Sequence, residues 1–312
     1  MANEDLHVVF GVGQVGSQLT DLLLAEGLRV RAVRRSPQTS HHARLECVRA
    51  DVYDQAAAIQ AAAGATVVYH CMNAPYHLWP TQLPPLYRHI AAAAQATGAR
   101  LVVLDNVYAV GANGVFDETT PERPCSKKGE IRKTLADELR ALHASGQVPV
   151  TIGRASDFFG PHVDQGMLQH PRSMAQLRAG QTVDVIGTID QPHSWSYAPD
   201  VARGLMHLGL HPELAGQTFH LPVLPPQTGR ALLTGLASAL GVPLKTREMP
   251  GWLLRVAGVF SPMMREMPEM QYQFNAPFVM SDAKIRAVLG VEPTPLDVQL
   301  AATAAWMRGL PG

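Results

Sequence analysis

Residues 10–16 read Phe10-Gly11-Val12-Gly13-Gln14-Val15-Gly16, three glycines in the spacing GxGxxG. Where such a run follows a strand and opens a helix, the first glycine permits a tight turn. The second lets backbone N–H groups approach a pyrophosphate, and the third lets helix and strand pack closely. The helix N-terminus adds partial positive charge for the anion. At the end of the next predicted strand, an acidic residue would accept the 2′-hydroxyl of an adenosine ribose. The chain instead reads Val33-Arg34-Arg35-Ser36. Two guanidinium groups and a hydroxyl suit a 2′-phosphate through charge-assisted hydrogen bonds. The expected cofactor is therefore NADP, with NAD less favoured, and the expected contacts are Gly11, Gly13, Gln14, Val15, Gly16, Arg34, Arg35 and Ser36. Ligands in such folds bind at strand C-terminal ends. On that ground Asp51-Val52 is expected to flank the adenine, and Asn73-Ala74-Pro75 to lie beside the cofactor.

These residues need a scaffold, and the first half of the chain supplies its pattern. Short β-branched runs at 6–10, 28–33, 46–49, 66–70, 100–104 and 148–153 read as strands. They alternate with Ala/Leu-rich helical stretches at 14–26, 54–63, 83–97 and 129–145. Gly27, Gly64, Gly98 and Gly146 each follow a helix and precede a strand, where a left-handed cap favours glycine. Alternation of this kind, with right-handed crossovers, predicts an α/β fold with a doubly wound parallel Rossmann sheet. After Gly160-Pro161 the rhythm breaks. Helices are still expected at 200–208 and 229–240 and a strand at 217–221, among more Pro, His, Met and aromatic residues. The division that follows is a Rossmann domain over 1–160, with 196–222 returning to it, and a smaller substrate lobe from 161–195 and 223–312. The Met/Leu/Phe-rich stretch 253–270 suits either an apolar pocket cover or ordinary core.

Composition narrows the ligand class. With 26 basic and 26 acidic residues the net charge is zero, so there is no global field to collect nucleic acid or an anionic membrane. No segment is apolar and long enough to span a bilayer. Cys47, Cys71 and Cys125 are odd in number and form no CxxC pair, which points to reduced thiols in a cytoplasmic protein. Thirteen histidines include no HxxxH or HExxH on a predicted helix, so no metal site is expected. A small-molecule substrate is the expected partner. His162, His193 and Trp195 flank the entry to the second lobe and are candidate pocket residues.

The glycine-rich turn, Asp51-Val52-Tyr53-Asp54, Asn73-Ala74-Pro75, the run from Leu104 to Gly111, Arg154 with Phe159-Gly160-Pro161, and the run from Ser194 to Ala202 together carry a resemblance. The chain resembles the extended and atypical short-chain dehydrogenase/reductases, the superfamily of NAD-dependent epimerases and dehydratases. That resemblance implies a Tyr that exchanges a proton with substrate, a Lys four residues later, and a Ser or Thr that orients the carbonyl. Alignment puts Asn106 at the Ser/Thr position, Lys133 at the Lys position and Gly129 at the Tyr position. Glycine has no proton to give, so this pattern looks like the atypical subgroup. Tyr108, just past Asn106, and Tyr76, past the fourth strand, are the candidate replacement acids. Both also suit packing or substrate contact.

Lys127, Lys128, Arg132 and Lys133 crowd the start of one helix, which suits an anionic partner or a solvated basic face. The resulting expectation is an NADP(H)-dependent oxidoreductase or epimerase acting on a small carbonyl or hydroxyl compound. The competing expectation is a non-catalytic NADP(H)-binding redox sensor or partner-binding protein that has lost its Tyr. Relatives of this kind pair through two helices, and the chain suits a monomer or a homodimer.

Overall fold

A computed structural model describes residues 5–36, 42–111, 113–249, 265–266 and 268–310. The buried β-branched runs form β1 (Leu6–Phe10), β2 (Arg29–Arg34), β3 (Leu45–Arg49), β4 (Val67–His70) and β5 (Arg100–Asn106). Between and beside them lie α1 (Gly16–Ala25), α2 (Gln55–Ala61), α3 (Trp79–Thr97) and α4 (Lys127–Ala144). A short β6 (Gly114–Phe116) precedes α4, and β7 (Val150–Ala155) and β8 (Asp157–Phe159) follow it. Further on are α5 (Pro171–Arg178), β9 (Thr182–Ile186), β10 (Pro192–His193), β11 (Trp195–Tyr197), α6 (Ala198–Leu210) and β12 (Thr218–His220). The remaining labelled elements are β13 (Gln227–Thr228), α7 (Gly229–Leu240), β14 (Lys245–Met249) and β15 (Phe278–Met280).

Seven parallel strands make the central sheet in the order β12-β7-β5-β4-β1-β2-β3. The chain reverses its direction of travel across the sheet between β1 and β4, and such a switch point opens a crevice beyond the strand ends. Both faces are covered, which is why β1, β4 and β7 are buried along their whole length. One layer packs Trp79, Leu83, Leu86 and Ile90 of α3 and Leu135 and Leu139 of α4 on the sheet. The opposite layer packs Leu19 and Leu23 of α1 and Val201, Leu205 and Leu208 of α6. A separate apolar cluster joins Met174, Leu177, Val183, Trp195, Leu232, Leu236 and Met307 in the later part of the chain.

The expected helix and strand positions are recovered with end shifts of a few residues, and 229–240 is matched at both ends. Gly27, Gly64, Gly98 and Gly146 all have positive φ, and Gly98 caps α3 at φ 68°. One boundary differs more. The helix expected from residue 83 begins at Trp79, because the indole is fully buried and its Nε1–H donates to the Ala74 carbonyl at 2.8 Å. Pro80 fits that first turn, where no N–H is required. Most of the Met-rich stretch 253–270 lies outside the described residues.

Candidate functional site

The glycine-rich turn joins β1 to α1 at the switch point. Gly11 has φ +93°, and a Cβ there would meet the Cys71 backbone at 2.9 Å. A Cβ on Gly16 would overlap the Gly11 carbonyl oxygen, whereas one on Gly13 would meet nothing within 4 Å. The outer glycines are thus required by crowding. The middle one opens on empty space, from which an anion can reach the backbone N–H groups. The Gln14 Oε1 accepts the N–H groups of Asp164 and Gln165 at 3.2 and 3.3 Å, which leaves its amide nitrogen to donate. Val15 is buried in the α1 layer.

Arg34, Arg35 and Ser36 close β2. Strand alternation turns Arg34 to the α1 side of the sheet and Arg35 to the α2 side, beside Tyr53, whose hydroxyl pKa burial raises and Arg35 lowers. Parallel register sets Arg49, the last residue of β3, opposite Arg34. Asp51 is exposed, and its Oδ1 accepts the Tyr53 N–H at 3.1 Å. Val52 is 2 % exposed and packs in the core. Its side chain belongs to the α2/α3 layer, so the Asp51-Val52 pair offers an adenine the exposed Asp51 and the Val52 backbone.

On the other side of the switch point, Asn73, Ala74 and Pro75 leave β4 and lead to Tyr76. The Tyr76 and Tyr108 hydroxyls are 2.6 Å apart. Trp79 supports both, edge-on to Tyr76 with ring centroids at 5.0 Å and stacked on Tyr108 at 6.2 Å. Asn106, at the end of β5, accepts the Tyr108 N–H on its Oδ1 at 3.2 Å, so its amide nitrogen is the group left to donate.

Helix α4 corrects the expected register. Lys133 faces outward and pairs with Asp137 at 2.6 Å, both substantially exposed. The side chains turned inward are Lys128 and Arg132, only 2 % and 4 % exposed. Four residues apart, they share one helix face, one position out of step with Gly129 and Lys133. The Lys128 ammonium lies 5.2 Å from the centre of the Tyr76 ring and is held by Glu266 at 2.5 Å and by Glu269. Arg132 sits 4.3 Å from the centre of the Trp79 ring, donates to the Tyr87 hydroxyl, pairs with Asp105 at 3.3 Å and donates to Asn73 Oδ1 at 3.1 Å. Asp105 in turn binds Arg154 at 3.1 Å. Gly129 is buried against the loop that follows β5: a Cβ there would meet the Tyr108 carbonyl oxygen at 2.5 Å and Pro124 at 2.8 Å.

Burial pushes the Tyr76 hydroxyl up to about 12 despite the opposing hydrogen bond from Tyr108 and the charge of Arg132. Burial drives Tyr108 well above its ordinary value, helped by Tyr76 and Asp157. Either hydroxyl can be the donor in the bond between the phenols, and Tyr76 is half-buried where Tyr108 is 7 % exposed, so Tyr76 is the phenol that a third group reaches more readily. Nearby, Asp157 binds His193 Nε2 at 2.8 Å, and Trp195 donates from Nε1 to Gln227 at 3.1 Å. His162 lies apart, 5.7 Å from the Trp306 ring centre. Among the described residues no cluster of His, Cys, Asp and Glu is arranged to hold a metal ion.

Sequence reasoning left out Arg49, Asp105 and the inward role of Lys128 and Arg132. A signal for the last two was present: the apolar positions Leu135, Ala136 and Leu139, extended back at helical spacing, fall on 128 and 132.

A parallel sheet with this glycine turn at its switch point is the Rossmann-type fold of the extended short-chain dehydrogenase/reductases. The sequence model of the NAD dependent epimerase/dehydratase family matches residues 7–221, and the chain belongs to that family. A dTDP-glucose 4,6-dehydratase of Xanthomonas campestris pv. campestris is 28 % identical over 122 residues, 38 % of this chain and 34 % of that protein. The chain thus aligns with about a third of that dehydratase's length. An uncharacterised protein of Sinorhizobium fredii is 25 % identical over 227 residues, 66 % of this chain and 62 % of its own. Among solved structures, a dTDP-glucose 4,6-dehydratase of Streptomyces venezuelae with NAD bound superposes with TM-score 0.77 at 19 % identity, covering 97 % of each chain. A UDP-glucuronic acid 4-epimerase of Bacillus cereus in complex with NAD gives 0.76 at 15 % identity, covering 97 % of this chain and 98 % of that one. These superpositions establish the fold. Among the described residues, no helix is long and apolar enough to cross a membrane.

Proposed function

We propose that the protein is a nicotinamide-dinucleotide-dependent oxidoreductase or epimerase of a small hydroxyl or carbonyl compound, with Tyr76 as its proton donor. The observation that carries this reading is the Tyr76–Tyr108 hydroxyl pair, 2.6 Å apart, at the strand ends beside the open glycine turn. Bound, the dinucleotide supplies or takes the hydride. Gly11, Gly13 and Gly16 shape the turn that receives its pyrophosphate, and Asp51 is available to the adenine. Arg132 stays charged at every physiological pH and the Lys128 ammonium is tied to Glu266 and Glu269, so the inward face of α4 contributes charge and the phenols are the groups left to contribute the proton. Protonated at neutral pH, Tyr76 donates to a carbonyl oxygen, Tyr108 donates to Tyr76, and the Asn106 amide can polarise the same carbonyl.

For the cofactor, Arg34, Arg35 and Ser36, joined by Arg49, favour a 2′-phosphate and hence NADP, although the solved relatives named above hold NAD. The substrate is held between the strand ends and the lobe of residues 161–195 and 223–312. Because those relatives act on sugar nucleotides, that class is the first to test. Three unpaired cysteines agree with a cytoplasmic location.

Steady-state reduction over a carbonyl panel including 4-keto sugar nucleotides tests the reading. Tyr76→Phe is expected to lower kcat by about 10²–10⁴-fold with dinucleotide affinity intact. Tyr108→Phe is expected to lose less. Tight dinucleotide binding without turnover of any substrate would favour the second reading, a binding protein, which the absence of a tyrosine on α4 supports.

A further inference from the structure

Asn73 is exposed at the mouth of the crevice, yet its amide has only one permitted orientation. The same oxygen, Oδ1, accepts from Arg132 Nη2 at 3.1 Å and from the Ala74 backbone N–H at 3.0 Å. Flipping the amide would set its NH2 against two donors, so the oxygen must face inward and the nitrogen outward. Arg132 cannot swing away. Its guanidinium is buried, stacked on Trp79, bonded to Tyr87 and paired with Asp105. Asn73 Nδ2 makes no hydrogen bond among the described residues. The segment that carries it abuts the glycine turn, since a Cβ on Gly11 would touch Met72 and the Cys71 backbone.

We infer that Arg132 is a positioning residue that locks the Asn73 amide so that Nδ2–H donates to an oxygen of the dinucleotide's pyrophosphate–ribose portion. The inference rests on the dinucleotide reading above and adds a contact that is blind to the 2′-phosphate.

Calorimetric titration with NADPH and with NADH, paired with melting curves, tests it on the full chain. Asn73→Asp keeps an inward oxygen for Arg132 and Ala74 but replaces the outward donor with an acceptor. It is expected to melt no lower than Asn73→Ala and to weaken both dinucleotides by about tenfold or more. Arg132→Lys keeps a cation but loses the fork. It is expected to weaken both nucleotides severalfold when Asn73 is present and to have no further effect in the Asn73→Ala background, the non-additivity of residues acting through one another. Wild-type affinity in Asn73→Asp, a melting temperature below that of Asn73→Ala, or additive losses would each overturn the inference. If the unaltered protein binds neither nucleotide, the dinucleotide reading falls instead, while the melting comparison still reports the amide's orientation.

Discussion

Gly129 and Lys128 differ by one position, and only one of them can present a side chain to the crevice. Gly129 rests on the Tyr108 carbonyl, so a side chain there must push α4 away from the loop that follows β5. Gly129→Ala is expected to cost about 1–3 kcal/mol by overpacking, read from denaturant midpoints. Gly129→Tyr, the change that a plain alignment suggests, is expected to destabilise further and to restore no activity. Lys128→Tyr, by contrast, sends its ring inward beside Tyr76. At the end of β2, the Arg34→Ala, Arg35→Ala double variant should reduce NADPH affinity at least tenfold and leave NADH affinity almost unchanged. Equal losses for both nucleotides would remove the 2′-phosphate assignment. The glycine turn and the basic end of β2 are legible before any coordinates because backbone freedom and fixed charge are local properties. The inward direction of Lys128 and Arg132 is harder to read, because their charge disguises the fact that they continue the apolar stripe of Leu135, Ala136 and Leu139.

At the level of elements, the caps decide how firmly these groups are held. Asp54 caps α2 by accepting the N–H groups of Ala56 and Ala57 at 2.9 and 3.3 Å, and Ser126 caps α4 by accepting that of Gly129 at 3.0 Å. Each Ala substitution should cost about 1 kcal/mol. The two should differ in function: Asp54→Ala is expected to leave turnover unchanged, while Ser126→Ala loosens the turn that carries Lys128 and so lowers it. Turnover assays matched to melting curves separate these outcomes. The early start of α3 shows why element ends resist reading. Pro84 and Pro85 argue for a break, but burying Trp79 and bonding its indole extends the helix back through them.

The whole molecule also carries a pH signature. Burial pushes His7 down to about 4 and His70 down to about 3, so in the folded chain both stay neutral well below their ordinary range. Unfolding lets them bind protons near 6.5. The stability tied to this difference is therefore complete above that value and falls as pH drops from 6.5 toward 4 and 3. Equilibrium unfolding at pH 7.5 and 5 should show the loss, and His70→Gln should reduce it. At the alkaline end the raised hydroxyls of Tyr76 and Tyr87 act the other way. Their contribution is complete below about pH 10 and lost as pH climbs toward 12 and beyond.

Local rules in the sequence determined the parallel α/β sheet, the glycine turn and the basic end of β2, because strand and helix periods, caps and backbone freedom act over a few residues. Tertiary packing decided the rest. It brought Tyr76, 32 residues before Tyr108 in the chain, to within 2.6 Å of it, and it buried Arg132 beneath Asn73 across 59 residues. Contacts between residues so far apart depend on how whole layers settle on the sheet, which spacing along the chain does not encode.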